Sequence, residues 1–175
     1  MEVVIADEYT LVELAADAIE RLLCTEAAPV IGLATGSSPL RIYDELTTRH
    51  KNEGLSFAHA QAFMLDEYVG IADDHPQRYR NVIDTEIATR VDFAEGAVHG
   101  PDGSADDLAA ASADYERKIV GAGGIDLQIL GIGSDGHVAF VPNPDYSGPQ
   151  KAQVKKFTMV PFTTDSAEFN VVRGG

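Results

Sequence analysis

The chain has 175 residues, 45% of them hydrophobic and 23% charged, which suits one folded domain with a real core and argues against disorder. Thirteen Lys and Arg against 28 Asp and Glu give a net charge of −15, which excludes a basic nucleic-acid footprint and would repel an anionic membrane. One cysteine, Cys24, excludes an internal disulfide framework and a multi-cysteine zinc site, and no apolar run reaches the roughly 20 residues that span a bilayer.

The N-terminus carries Glu2 and Asp7 and does not read as a signal peptide, so the cytosol is the expected compartment. Residues 2–6 (EVVIA) read as a short apolar strand. Thr10 and Glu13 form a capping-box pattern ahead of Leu11, Leu14, Ala18 and Leu22 at helical spacing. Cys24 lies in that apolar pattern and reads as core. Pro29 stops the helix, and the near-continuous apolar run Val30 to Ala34 fits a parallel strand buried on both faces. A helix is expected over 39–50, a strand over 62–65 and helix again over 77–89. The Ser104 to Asp107 cap signal precedes Leu108, Ala111, Tyr115 and Ile119 at helical spacing. Gly123-Gly124 ends that helix before a buried strand over 125–132.

This alternation predicts an α/β fold with a mainly parallel, Rossmann-like sheet in three layers, helices on both faces. The expected organisation is one domain over 1–175 with a divergent tail at 141–175. That tail holds prolines at 142, 144, 149 and 161 and no closing helix, which predicts a C-terminally truncated fold or one that leans on a partner.

Three loops could carry chemistry. Thr35-Gly36-Ser37-Ser38-Pro39 follows the first buried strand. With Ser38 as N-cap and Pro39 in the first helical position, it would offer backbone N–H groups, hydroxyls and a positive helix end to an anion. The plain alternative is a strand-to-helix turn. Asp66-Glu67-Tyr68 follows the next strand, where ligands of open α/β sheets sit, and Asp66 could serve as a base; an exposed acidic loop is the alternative. Gly131-Ile132-Gly133-Ser134-Asp135-Gly136-His137 follows the strongest strand. There His137 could exchange protons with Asp135 fixing its tautomer, or the stretch could be a structural turn. The remaining histidines, His50, His59, His75 and His99, lack metal-ligand spacing, and no metal site is expected.

Together these stretches resemble the glucosamine-6-phosphate deaminase (isomerase) family over about residues 2–140. The resemblance rests on Leu33 to Pro39, on Leu65-Asp66-Glu67-Tyr68-Val69-Gly70 with His75-Pro76-Gln77, and on Gly124-Ile125-Asp126-Leu127 leading into Gly131 to Phe140. The related 6-phosphogluconolactonases share the glycine loop and an Asp-Gly-His stretch. The resemblance implies conversion of glucosamine 6-phosphate to fructose 6-phosphate and ammonia, with no metal or redox cofactor. Thr35, Gly36, Ser37 and Ser38 would hold the phosphate, Asp66 would move the C2 proton to C1, and His137 with Asp135 would assist ring opening. The implied partner is a small-molecule sugar phosphate, with no nucleic acid and no membrane; homo-oligomerisation is left open.

Two departures bear on activity. Where the family continues Asn-Glu-Pro after Phe140, this chain has Val141-Pro142-Asn143-Pro144, and the family's arginine-bearing serine loop is replaced by Ser147 to Gln153. The alternatives are therefore a catalytically impaired sugar-phosphate-binding homologue or a 6-phosphogluconolactonase-like hydrolase.

Overall fold

Asp7 starts the first helix. Its carboxylate accepts the Thr10 N–H at 3.0 Å, capping helix α1 (Glu8–Thr25). The cap thus lies three residues before the expected Thr10, which sits inside the helix. The computed structural model describes residues 3–131, 151–153 and 170–173. Within them, Val3, Val4 and Ile5 are exposed and belong to no strand, in contrast to the strand expected there. α1 buries Ala15, Ala16, Ile19 and Leu23, leaving Leu14 exposed, and Cys24 lies on the outer face, not in the core. The buried stripe runs one position away from the expected one because Ala15, Ala16 and Ile19 complete it.

The chain then alternates: β1 (Val30–Leu33), α2 (Ser37–Glu53), β2 (Gln61–Met64), β3 (Asp66–Tyr68), α3 (Tyr79–Ile83), β4 (Val98–His99), α4 (Leu108–Gly121), β5 (Leu127–Leu130), β6 (Lys151–Gln153) and β7 (Asn170–Arg173). α3 widens into a π-helical turn over Asp84–Ala88. α4 is capped by Asp107, whose carboxylate accepts the Ala110 N–H at 2.9 Å; Ser104 is not the cap and instead donates its N–H to Asp102.

The main sheet runs β4-β2-β1-β5-β7, with β4, β2, β1 and β5 parallel and β7 antiparallel to β5. A second ladder pairs β3 antiparallel with β6, Asp66 opposite Gln153 and Tyr68 opposite Lys151. One face of the main sheet, carrying Ile31, Leu33, Ala62 and Met64, packs on α1, α2 and the 79–88 helix through Ile19, Ile42, Leu46, Ile83 and Ile87. The other face, carrying Val30 and Phe63, packs on α4 through Tyr115. Each such large apolar side chain contributes roughly 1.5–3 kcal/mol by leaving water. The expected three layers are present, and the loops that follow β1 and β2 lie at the carboxyl ends of the parallel strands.

Arg49 joins α1 to α2. Its guanidinium, 9% exposed, reaches Asp17 at 2.7 Å, Glu20 at 2.6 Å and Glu45 at 2.8 Å. Burial works against its charge, but the hydrogen bonds it donates to Glu45, Asp17 and Glu20 outweigh burial and raise its pKa further.

Candidate active site

The chain enters α2 through Gly36, which has φ +105° and ψ 178°, a conformation that L side chains rarely adopt. Gly36, not Ser38, is therefore the N-cap, and the helix begins at Ser37. Gly36 has no side chain with which to cap this end, and no acidic residue lies in the helix's first turn. Ser37 and Ser38 are exposed, and Thr35 is half-buried. Backbone N–H groups and hydroxyls are thus presented at the positive end of a 17-residue helix.

This loop hangs from Ala34, the residue after β1. The buried Tyr43 hydroxyl donates to the Ala34 carbonyl at 2.7 Å and accepts the Ala34 N–H at 3.1 Å. Burial pushes the Tyr43 hydroxyl well above its ordinary pKa, so it stays a donor. On the neighbouring strand, the Tyr115 hydroxyl reaches across from α4 to donate to the Met64 carbonyl at 2.7 Å. Two buried tyrosines from opposite layers thereby hold the ends of β1 and β2, from which the first two loops depart.

Asp66 lies just past β2. It is only 7% exposed, which overturns the exposed-loop alternative. The next residue, Glu67, is 1% exposed. One of its oxygens accepts the N–H groups of Tyr68 and Tyr79 at 2.9 Å each, and the other accepts the Arg80 N–H at 2.8 Å. Arg78 Nε lies 3.8 Å from the same carboxylate. Glu67 therefore caps α3 from a strand twelve residues earlier.

That cap brings Tyr79 into the site. Its ring lies 4.6 Å from the Tyr68 ring, and the two hydroxyls are 3.2 Å apart. Burial pushes the Tyr79 hydroxyl above its ordinary value of 10. The charges of Asp66 and Glu67 add to the rise, and hydrogen bonds to Tyr68 and Thr35 partly offset it. Tyr79 thus touches the 35–38 loop and feels the charge of Asp66. The loop at 101–104 backs this arrangement: Gly70 N–H donates to the Gly103 carbonyl at 2.9 Å, and a Cβ on Gly103 would collide with the Tyr68 carbonyl.

The third loop starts beside the first. A Cβ built on Gly131 would sit 3.6 Å from Ser38, so the end of β5 abuts the start of α2. This is the point at which strand order reverses, with β2 on one side of β1 and β5 on the other. Asp135 and His137 lie outside the described residues. The structure thus brings Thr35, Gly36, Ser37, Ser38 and Asp66 to one end of the sheet. Among the described residues, no group of three or more His, Cys, Asp or Glu side chains is arranged to hold a metal ion. No helix among them is long and apolar enough to cross a membrane.

Sequence reasoning did not find Glu67 as a cap, Tyr79 as a site residue or Gly103 as a backing glycine. The alternation along β3 was the available signal, since it turns Glu67 away from the face shared by Asp66 and Tyr68.

A family model described as glucosamine-6-phosphate isomerases/6-phosphogluconolactonase matches residues 7–161. The chain belongs to this family. It is 58% identical over 159 residues to a glucosamine-6-phosphate deaminase of Beutenbergia cavernae, a match covering 90% of this chain and 60% of that relative. It is 57% identical over 159 residues to a glucosamine-6-phosphate deaminase of Mycolicibacterium smegmatis, with the same coverage of 90% and 60%. Among solved structures, a monomeric glucosamine-6-phosphate deaminase superposes with a TM-score of 0.76 at 33% identity, covering 79% of this chain and 58% of that one. The 6-phosphogluconolactonase of Thermotoga maritima gives 0.65 at 30% identity, covering 77% and 61%. The family's α/β fold is therefore this chain's fold, and the chain spans about six-tenths of the length of these relatives.

Proposed function

We propose that this chain is a glucosamine-6-phosphate deaminase, acting in the cytosol on a small-molecule sugar phosphate with 1–175 as one folded unit. The observation that carries the reading is the buried Asp66 carboxylate at the end of β2 and the glycine-led start of α2 at the end of the adjacent parallel strand β1, in a chain of this family.

The sugar's phosphate sits on the backbone N–H groups and hydroxyls of Thr35, Gly36, Ser37 and Ser38. In a chain of net charge −15, these local donors work against the overall field, so binding depends on their geometry. The ring opens as the anomeric hydroxyl proton passes to the ring oxygen, assisted by His137 with Asp135. Asp66 then removes the C2 proton and delivers it to C1, giving an enolamine and then the C2 imine. Water adds to that imine, and ammonia leaves with fructose 6-phosphate as the ketose. A weakly acidic C2 proton needs a base that is shielded from water and within hydrogen-bonding reach, which the burial of Asp66 favours.

Val141-Pro142 in place of the family's Asn-Glu favours one second reading, a homologue that binds the sugar phosphate without turning it over. Incubating the folded protein with glucosamine 6-phosphate, while following ammonia and fructose 6-phosphate, separates the two. Stoichiometric release of both products supports the deaminase; saturable binding by calorimetry with no ammonia supports the binding homologue.

A further inference from the structure

We propose that Glu67 is a positioning residue, whose buried carboxylate locks the base-bearing strand to the helix that carries Tyr79. This inference rests on the deaminase reading of the same site. A carboxylate 1% exposed is costly to bury unless it is fully satisfied. Here it is satisfied by the backbone N–H groups of Tyr68, Tyr79 and Arg80 at 2.8–2.9 Å, with the Arg78 guanidinium beside it. The N-cap residue itself, Arg78, makes no side-chain capping bond at the start of α3.

The consequence is geometric. Glu67 follows Asp66 directly, so the backbone that carries the base is fixed to the first turn of α3. That turn holds the Tyr79 ring against Tyr68 and its hydroxyl against Thr35. Gly103 adds a second constraint. A Cβ there would collide with the Tyr68 carbonyl and lie 3.4 Å from Glu67 Cγ, so the 101–104 loop presses on the same strand only because it has no side chain. Besides its contact with Tyr79, the 35–38 loop has an anchor that does not involve Glu67, the pair of hydrogen bonds between Tyr43 and Ala34. Loosening Glu67 should therefore displace the base relative to a phosphate site that remains in place. A misplacement of about 1 Å at a reacting centre can cost 10²-fold in rate.

The variant is Glu67→Gln in the full chain, which keeps shape but replaces one acceptor oxygen by a donor aimed at backbone N–H groups. With glucosamine 6-phosphate, kcat should fall at least tenfold while KM stays within about threefold. Amide hydrogen exchange at Tyr79 and Arg80 should accelerate at least tenfold, with Ile31 and Ile129 unchanged. Unchanged exchange at Tyr79 and Arg80, or a lowered melting temperature with wild-type kcat, would overturn the proposal.

If that variant does not fold, the wild type still decides: slow exchange of the Tyr68, Tyr79 and Arg80 amides supports the lock, and fast exchange contradicts it. A wild type that releases no ammonia would refute the deaminase reading, and with it Glu67's role in turnover. The exchange arm would still report whether Glu67 holds the strand to the helix.

Discussion

The hydroxyl of Tyr43 makes both hydrogen bonds of one peptide residue, donating to Ala34 O at 2.7 Å and accepting from Ala34 N at 3.1 Å. Tyr43 is 1% exposed, so no water replaces it when it is removed. Tyr43→Phe keeps the ring and leaves both Ala34 groups without their partner. It should destabilise the fold by about 1–3 kcal/mol. Because Ala34 anchors the 35–38 loop, KM for the sugar phosphate should rise more than kcat falls. Denaturant unfolding and steady-state kinetics check the two halves separately.

Arg49 offers a test of the α1–α2 contact. Its three carboxylate partners, Asp17, Glu20 and Glu45, are 52%, 39% and 32% exposed. They can re-solvate when the guanidinium is lost, so the cost should stay below that of a fully buried pair. Arg49→Met should lower stability by about 1–2 kcal/mol and leave the site kinetics unchanged. Denaturant midpoints at unchanged slope would register this.

His99 gives a pH dependence with a definite sign. It packs on Phe63 with ring centres 4.7 Å apart. Burial first, then the charges of Lys118 and Arg80, hold its pKa below the ordinary 6.5. Below pH 6.5 the unfolded chain takes up a proton there that the folded chain refuses, so stability is lost as pH falls through 6.5 toward the folded value. His99→Gln removes this contribution. The melting temperature should therefore fall less between pH 7.5 and 5.5 in the variant than in the wild type.

Much of the fold was legible because the run at 30–34 has no polar residue, as suits a strand buried on both faces, and because the run at 125–132 is apolar apart from Asp126 and Gln128. The helix starts were less legible. Thr10, Ser38 and Ser104 all matched cap chemistry, yet Asp7, Gly36 and Asp107 hold the positions. Several nearby polar residues suit a cap, and tertiary packing selects among them. The exposed 3–5 segment read as a strand because apolar composition does not say whether a neighbouring strand is there to pair with it. For the site, Asp66 and the 35–38 loop followed from where loops sit after strands. Glu67 and Tyr79 did not, because their link is a contact between side chain and backbone across twelve residues, which periodicity does not encode.

The central claim is that Asp66 moves the C2 proton of a sugar phosphate held at residues 35–38. The direct test is turnover of glucosamine 6-phosphate in D2O by the wild type and by Asp66→Asn, with deuterium located in the fructose 6-phosphate by NMR. The wild type should release ammonia and form fructose 6-phosphate whose new C1 hydrogen is the one Asp66 took from C2, replaced by solvent deuterium only to the extent that the Asp66 carboxyl exchanges with D2O before delivery, and the folded variant should lose at least 10²-fold in rate while still binding the substrate. Product formation by Asp66→Asn at the wild-type rate would contradict the account.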